Sequence, residues 1–540
     1  MKRVLGVCTL VLAAVVVGLT GAQPSSGAPA VATFASTLST WKTCGSLQCA
    51  TITLPMDYAH PDNGKTVKLA LSRAQASPLA GSYAGMMLLN PGGPGGSGTY
   101  LPNLQGSVPG NAAQRYDWVG FDPRGVGASV PSLHCNSHYF GANRPNFVPT
   151  TQAIYDYWKN KSNIYAAQCG KSTAKALLPF LTTRDTVRDM EMIRAAYQAQ
   201  ASSAQKPVLA KLNFYGFSYG TWLGQVYAST YPAKVGRFIL DGVVDPSTYW
   251  YKSNLQQDIW FDKNLNTFFA WIAAHNSTFH LGTSAKTIRS GYNALLKRLD
   301  RYPSAAGRLG PDELTDAVIS APYYVFEWAD IARDYAQLVR NKSGTALWNR
   351  YVAGNQGDDN GYAIYLATEC TDAPAPSFAQ QRGDTWALYR SYPYLAWDNT
   401  WYNMPCLNWK APPRPGSHPF GTYVHVPILL INETRDAATP FAGALNVRKR
   451  FPTASLIAGI GGTTHAGSLH GVTCVDNAIA AYLNDGTVPT RKGPDTYDLA
   501  CPKVPPPSPT GGLLGRTKAD PGMPTAVQNR LQAAQSYSLR

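Results

Sequence analysis

The chain has 540 residues, of which 44% are hydrophobic and 15% are charged, and its formal net charge is +15. This balance excludes a disordered or fibrous chain, and the length predicts a large core with more than one folding unit. Because no long run of Lys and Arg stands out, we interpret the positive charge as a basic surface and expect no nucleic-acid partner.

The first 30 residues predict an export signal. Lys2 and Arg3 precede an apolar stretch from Val4 to Leu19, and small residues follow, with Ala28-Pro29-Ala30 as one cleavage site and Ala22 as an earlier alternative. The apolar stretch is short for a bilayer span of about 20 residues, and no later segment is long and apolar enough. We therefore expect a secreted protein whose signal peptide, residues 1–30, is cleaved, and no membrane anchor.

Cysteine usage agrees with export, because the loss of Cys8 with the signal leaves an even number of cysteines. An even number in an exported chain predicts disulfides, although eight cysteines allow 105 connectivities. The cysteines fall along the chain as neighbouring pairs, and we predict the bridges Cys44–Cys49, Cys135–Cys169, Cys370–Cys406 and Cys474–Cys501. No C-x-x-C is present, and His134 and His138 lack the glutamate of H-E-x-x-H, so we expect no metal site.

Residues 31–246 predict the first part of an α/β core. The apolar runs "GMMLLN" and "RYDWVGF" end in glycine-rich turns, and residues 182–198 space apolar side chains as a helix does, with Thr183 as a candidate N-cap. "LNFYGFSYGTWLGQVYAS" predicts a strand, a sharp turn and a helix, and "VGRFILDGVV" predicts another strand. Strands that alternate with helices predict a mostly parallel sheet flanked by helices.

The sequence changes in character after this core segment. Residues 247–420 are rich in Trp, Tyr and Asn and contain irregular helical patterns, which predict an inserted, mainly helical cap. Short strand signals return in residues 421–502, which predict the C-terminal part of the core. Residues 503–540 begin with a proline-rich segment and predict a flexible tail.

Gly216-Phe217-Ser218-Tyr219-Gly220 lies between the predicted strand and helix. A serine on such a turn presents its hydroxyl at the carboxyl edge of the sheet, and the glycines let neighbouring backbone approach without Cβ clashes. The helix that follows also directs free N–H groups toward the hydroxyl. Ser218 is therefore the candidate nucleophile, and a purely structural turn is the competing interpretation.

A serine nucleophile needs a base and an orienting acid, which follow it in the order acid, then histidine, in the α/β-hydrolase arrangement. Asp436 comes just after the apolar run "VPILLIN", and His465 comes just after "SLIAGI", so both are predicted at strand ends beside Ser218. The alternative base is His470, which follows a leucine rather than a glycine-rich turn. The alternative acid is Asp241, at the end of the preceding strand.

The glycine-rich stretch "NPGGPGGSG" has two interpretations. In the first, the N–H groups of Gly93 and Tyr219 form the oxyanion hole of an acyl-transfer site. In the second, the same glycines form a dinucleotide fingerprint, with Asp117 as the ribose-binding acid. We reject the second, because Pro94 fits a phosphate-binding turn poorly and an exported disulfide protein rarely meets NAD. We expect no cofactor.

With these residues assigned, the chain resembles the secreted bacterial tripeptidyl aminopeptidases and the proline-iminopeptidase-like branch of the α/β hydrolases. The resemblance is carried by "LLNPGGPGGSG", "VGFDPRGVGAS", "LNFYGFSYGTWLGQVYASTYP", "VGRFILDGVVDP", "ATECTDAP" and "NETRDAATP". It implies Ser218, Asp436 and His465 as the triad and a helical cap over the site. It also implies cleavage of short peptides, tripeptides above all, from the free N termini of peptides or proteins.

An exopeptidase must also bind the α-ammonium of its substrate, which carboxylates of the cap can do. Our candidates are Glu369 and Asp372, with Glu327 in reserve. Two other functions stay open: a secreted carboxylesterase of the same fold, and a non-catalytic binding protein, against which the complete triad argues. The sequence does not indicate the oligomeric state.

Overall fold

The computed structural model describes residues 35–357, 359–416, 421, 423–511 and 525–536. The predicted signal peptide lies outside these residues. The strands are β1 Thr37–Leu38, β2 Lys42–Cys44, β3 Leu47–Pro55, β4 Thr66–Ala74, β5 Gly85–Asn90, β6 Tyr116–Phe121, β7 Leu212–Phe217, β8 Val235–Asp241, β9 Ile428–Glu433, β10 Ala454–Ile460 and β11 Leu499–Pro502. The helices of the core are α1 Gln152–Cys169, α2 Thr183–Gln200 and α3 Tyr219–Thr230 before the insertion, and α15 Phe441–Arg450, α16 Thr473–Asp485 and α17 Thr525–Ser536 after it.

The strands form one sheet in the order β1-β3-β4-β6-β5-β7-β8-β9-β10-β11, with β2 paired to β3. The pairings from β6 to β11 are parallel, and β1–β4 form an antiparallel extension that joins through β4 and β6. Every residue of β5, β6, β7 and β9 is buried, which explains their unbroken apolar runs. The predicted α/β-hydrolase fold, with its mostly parallel sheet, is confirmed.

Helices cover both faces of the sheet. On β5, Met87 and Leu89 pack into one hydrophobic cluster, and Met86 and Leu88 pack into another on the opposite face. One detail differs from the sequence-based expectation: Thr182, not Thr183, caps α2, because its hydroxyl accepts from the N–H of Asp185 at 3.0 Å.

The cap is helical. Its described helices lie between β8 and β9 along the chain: α4 Tyr251–Ala274, α5 Asn276–Phe279, α6 Ala285–Arg301, α7 Ser304–Gly307, α8 Pro311–Val318, α9 Ser320–Tyr323, α10 Trp328–Asn341, α11 Thr345–Asn355, α12 Asn360–Asp372, α13 Phe378–Tyr389 and α14 Ala396–Asn403. The helix α1, which precedes the nucleophile turn in sequence, also packs against α14. Trp158 of α1 stacks on Trp401 of α14 with ring centroids 6.1 Å apart. The exact domain boundaries stay predictions.

The C-terminal part of the chain completes the sheet and packs onto it. β11 pairs in parallel with β10. Farther on, α17 buries Val527 and Leu531 in the hydrophobic cluster that contains Met87. The guanidinium of Arg530 lies 5.8 Å from the ring centroid of Tyr100. Within the region expected from sequence to be a flexible tail, residues 525–536 are thus a helix with a buried apolar face.

The four predicted disulfides are confirmed: Cys44–Cys49, Cys135–Cys169, Cys370–Cys406 and Cys474–Cys501. Cys370–Cys406 ties α12 to the turn after α14, and Cys474–Cys501 ties α16 to β11. Among the helices that the structure describes, none combines the length and the apolar character needed to cross a bilayer.

Candidate active site

Ser218 lies on a sharp turn between β7 and α3. Its backbone is held at φ 54° and ψ −124°, a left-handed conformation that non-glycine residues rarely adopt. The turn is fixed on both sides: the N–H of Ser218 donates to the carbonyl of Asp241 at 2.9 Å, and the N–H of Thr221 donates to the carbonyl of Ser218 at 2.8 Å. Such strain at a strand-to-helix turn is typical of a nucleophile elbow.

The glycine-rich loop after β5 lies directly against this turn. Gly92 has φ +96°, and a Cβ atom there would lie 2.5 Å from the carbonyl oxygen of Phe217 and 2.8 Å from the Cβ of Ser218. Only glycine at position 92 allows the loop to lie this close to the Ser218 turn. The next residue, Gly93, lines the same cavity as Ser218 and Tyr219. The loop therefore lies close beside the serine, and the oxyanion-hole assignment of Gly93 and Tyr219 stays a prediction.

Asp436 and His465 lie at the carboxyl ends of β9 and β10. The Nδ1 atom of His465 is 2.7 Å from the Oδ2 atom of Asp436, and both side chains are fully buried. Asp436 accepts three further hydrogen bonds, from the N–H of Ala438 at 2.9 Å, from the N–H of Thr439 at 3.0 Å and from the hydroxyl of Thr439 at 2.8 Å. These hydrogen bonds hold the carboxyl group of Asp436 in place beside the imidazole.

Cap and core together enclose the imidazole of His465. Its backbone N–H donates to the carbonyl of Tyr323 at 2.9 Å, and a Cβ atom on Gly242 would lie 2.8 Å from its Cε1 atom. The Nε2 atom is buried and has no hydrogen-bond partner among the described residues. Since Nδ1 faces Asp436, Nε2 is the nitrogen left to exchange a proton.

The two alternative residues have other contacts. The ring of His470 packs on Phe326, with centroids 4.4 Å apart. Asp241 accepts hydrogen bonds from the N–H of Ser468 at 2.8 Å and from the hydroxyl of Ser468 at 2.5 Å. Burial raises the pKa of Asp241 to about 6. The geometry therefore pairs His465 with Asp436 and uses Asp241 to hold the histidine loop.

A small cavity lies beside Ser218. It has a volume of about 30 Å³, and Trp250, Asn254 and Glu369 are among the residues that line it. The same three residues also line a second cavity of about 80 Å³, which lies between α4 and α12–α14. Tyr, Trp and Pro side chains make up much of this second lining. The cavity beside the serine and the cavity in the cap are thus neighbours that share part of their lining.

Two buried carboxyl groups face this second cavity. Glu369 lies on the shared wall, 3.4 Å from the amide nitrogen of Asn254, and burial raises its pKa to about 8. Asp258 on α4 accepts a hydrogen bond from Asn399 at 2.9 Å, and burial raises its pKa to about 7. Sequence reasoning missed Asp258, because it lies in an ordinary amphipathic helix with no motif around it.

The other two acids proposed from sequence have different surroundings. Asp372 accepts from the N–H of Thr183 at 3.0 Å and from its hydroxyl at 2.5 Å, so it joins α12 to the start of α2. Burial raises the pKa of Asp372 to about 6. Glu327 forms an ion pair with Arg350 at 2.7 Å and lines a separate cavity with Asp316 and Asp334. Of the three acids, Glu369 is the one that lines the cavity beside Ser218.

Comparison with known proteins agrees with this geometry. Residues 392–498 match a family model described as "TAP-like protein". A tripeptidyl aminopeptidase from Streptomyces coelicolor is 34% identical over 479 residues, which cover 85% of this chain and 84% of that protein. The serine protease Hip1 of Mycobacterium tuberculosis is 28% identical, over 82% of this chain and 86% of that protein.

A third relative is named for a different activity. Carboxylesterase B of Mycobacterium tuberculosis is 27% identical over 502 residues, which cover 87% of this chain and 91% of that protein. Relatives of this chain thus carry the names of different activities, and a fold alone does not determine the substrate. From its fold and its identity with the Streptomyces enzyme, the chain belongs to the tripeptidyl-aminopeptidase-like family of α/β-hydrolase enzymes.

Proposed function

We propose that the chain is an exported serine exopeptidase that releases short peptides, tripeptides above all, from free N termini. The observation that carries this proposal is the buried His465–Asp436 pair at 2.7 Å, on the same sheet edge as the strained Ser218. A second observation supports the substrate class: Glu369 lies on the wall of the cavity that opens at the serine.

In the proposed reaction, the Nε2 atom of His465 takes the proton of the Ser218 hydroxyl as its oxygen attacks the scissile carbonyl. The N–H groups of Gly93 and Tyr219 stabilise the negative charge that develops on the carbonyl oxygen. His465 then donates the proton to the leaving amine, and an acyl group stays on Ser218. Water, activated by the same histidine, releases the N-terminal fragment as a free acid.

The acyl part of the substrate extends into the cap cavity. Its α-ammonium pairs there with the carboxylate of Glu369. Among the described residues, no cationic side chain forms an ion pair with Glu369. Asp258, on the same cavity, adds a second negative charge once it is ionised. Pairing at a fixed distance from Ser218 limits how many residues fit between the N terminus and the scissile bond. An ordered, partly buried charge pair of this kind gives an exopeptidase its length limit.

Export is supported by the four disulfides, which form and persist in oxidising surroundings. Maturation by cleavage near residue 30 is part of the proposal, and the N-terminal sequence of the purified extracellular protein tests it. A sequence that still begins at Met1 would contradict it.

A carboxylesterase is the second candidate, favoured by the identity with carboxylesterase B and by the aromatic and proline-rich lining of the cavity. One panel distinguishes the two functions: chromogenic tripeptides with free and with acetylated N termini, and a short-chain ester. We expect rapid release from free tripeptides and slow release from acetylated ones. Equal rates on free and acetylated peptides, with faster turnover of the ester, would reject the exopeptidase.

A further inference from the structure

Glu433, the last residue of β9, is a buried carboxyl group three positions before Asp436. It is only 5% exposed, and no ion pair of Glu433 is found among the described residues. Instead, both of its oxygens accept hydrogen bonds from backbone N–H groups. Oε2 accepts from Thr464 at 2.5 Å, and Oε1 accepts from Val504 at 2.7 Å. Such an arrangement fixes the positions of both donors.

The first donor belongs to the loop of His465, since Thr464 precedes that histidine directly. The loop contains two non-glycine residues in the left-handed region, Ala466 at φ 55° and Leu469 at φ 60°. Backbone in this conformation persists only where its surroundings hold it. The hydrogen bond to Glu433 supplies such a restraint immediately before the imidazole, where a small shift would change the distance to Asp436.

The second donor belongs to the segment that follows β11. Val504 is buried, and its Cγ2 atom would lie 3.2 Å from a Cβ atom placed on Gly467 of the histidine loop. The disulfide Cys474–Cys501 anchors the start of this segment to α16. Glu433 thus joins three parts of the chain: the turn that carries Asp436, the loop that carries His465, and the segment Leu499–Val504.

We infer that Glu433 is a positioning residue for His465, and that the segment Leu499–Val504 is part of the support of the catalytic histidine. This inference rests on the proposed role of His465 as the base. Glu433 does not contact the reacting atoms. It acts by holding the N–H of Thr464, with Val504 closing the other side of its carboxylate against water.

Glu433→Gln tests the inference with little change of shape. Glutamine keeps one acceptor oxygen and turns the other into a donor, so one of the two N–H groups loses its partner. We expect kcat to fall by about tenfold or more, with KM within about twofold of the unaltered enzyme, because substrate contacts stay intact. The rate at which a fluorophosphonate labels Ser218 should fall by a similar factor.

Asp476→Asn is the matched control. Asp476 is also buried, and it accepts from two N–H groups at the far end of the same loop, those of Leu469 at 2.9 Å and Gly471 at 3.1 Å. We expect a comparable loss of Tm, but a change in kcat of less than about threefold. Since the two carboxyl groups restrain one loop in the same manner, general loosening of the loop would affect kcat equally in both variants.

Val504→Pro provides a second variant, because proline removes the N–H donor and leaves Glu433 unchanged. We expect Val504→Pro to lower kcat, as Glu433→Gln does, and to leave KM unchanged. The inference is overturned if Glu433→Gln keeps its kcat, if Asp476→Asn loses as much, or if KM rises while kcat is constant. These outcomes differ from a failure of the proposed function, which would appear as full activity in Ser218→Ala or His465→Ala.

Discussion

The imidazole of His465 and the carboxylate of Asp436 form a pair, 2.7 Å apart, from which solvent is excluded. The pair fixes the orientation of the ring, because a hydrogen bond between Nδ1 and Asp436 leaves Nε2 as the nitrogen without a partner among the described residues. Asp436 is itself held by the N–H groups of Ala438 and Thr439. Asp436 is therefore held in the position from which it accepts the Nδ1–H of His465. This hydrogen bond selects the tautomer of His465 that carries its proton on Nδ1.

Asp436→Asn should consequently lower kcat by about three to four orders of magnitude while the fold stays intact. The amide keeps the size of the side chain, but it favours the wrong tautomer of His465. Steady-state kinetics and a thermal melt check this. Asp241→Asn is the control, and we expect a smaller kinetic effect because Asp241 bonds to Ser468. A larger loss in the control would move the acid to Asp241.

Ser218→Ala should remove nearly all turnover and all covalent labelling by a fluorophosphonate. The remaining rate, roughly 10³-fold over water, reflects the oxyanion hole and binding alone. His465→Ala should behave in the same way, because His465 is the proposed base and its Nε2 is the nitrogen left to take the proton of Ser218. His470→Ala should keep most of its activity, since that ring packs on Phe326. The reverse result for the two histidines would identify His470 as the base.

Acetylation of the substrate N terminus should reduce tripeptide release by two to three orders of magnitude, at about 1.4 kcal/mol for each tenfold. The reason is the loss of the charge pair with Glu369. Glu369→Gln should impair release from free tripeptides but leave hydrolysis of a small activated ester nearly unchanged. Glu327→Gln is a suitable control, because Glu327 pairs with Arg350 and lines another cavity. Equal effects of both variants would argue against the ammonium site.

The preference for free N termini should depend on pH. Burial raises the pKa of Glu369 to about 8, so below that pH the carboxyl group is protonated and must lose its proton to bind a cation. The ratio of kcat/KM for a free tripeptide to that for an ester should therefore rise as pH increases toward about 8. Above that pH the α-amine of the substrate itself deprotonates, since its pKa is about 8. In Glu369→Gln the rising limb of this ratio should disappear, and its persistence would implicate another group.

Removal of the Cys370–Cys406 bridge should weaken substrate binding before it weakens the fold. Cys370 follows Glu369 on α12, and Cys406 lines the cap cavity. The double variant Cys370→Ser/Cys406→Ser should raise KM for free tripeptides severalfold with a smaller change in kcat. Cys44→Ser/Cys49→Ser is the control, because that bridge lies in the β2–β3 hairpin at the other end of the sheet. Equal KM values in both double variants would contradict a role in binding.

Much of the core could be predicted from sequence, because its signals are local. A strand followed by glycine, serine and helix identifies the Ser218 turn without any distant contact, and apolar runs identify the buried strands. Asp436 and His465 could be predicted because the carboxyl ends of parallel strands meet at one edge of the sheet. The disulfides followed from the order of the cysteines in an exported chain.

The cap could be predicted as helical but not in its internal contacts. Asp258 reaches the cavity only through the way α4 packs against α14, which no local pattern encodes. Glu327 was a reasonable reserve from sequence, yet its pairing with Arg350 depends on how α10 and α11 pack. The buried face of α17 was not predicted. The proline-rich segment before this helix suggested that the rest of the chain is a flexible tail that does not pack on the core.

β8 and β9 are neighbours in the sheet, although the whole cap separates them along the chain. Ser218 therefore lies in the first half of the polypeptide, while Asp436 and His465 lie in the second. Under the proposed mechanism, a fragment that ends before residue 436 carries the nucleophile without its acid and base. Hydrolase activity then requires that the second half of the chain has added β9 and β10 to the sheet.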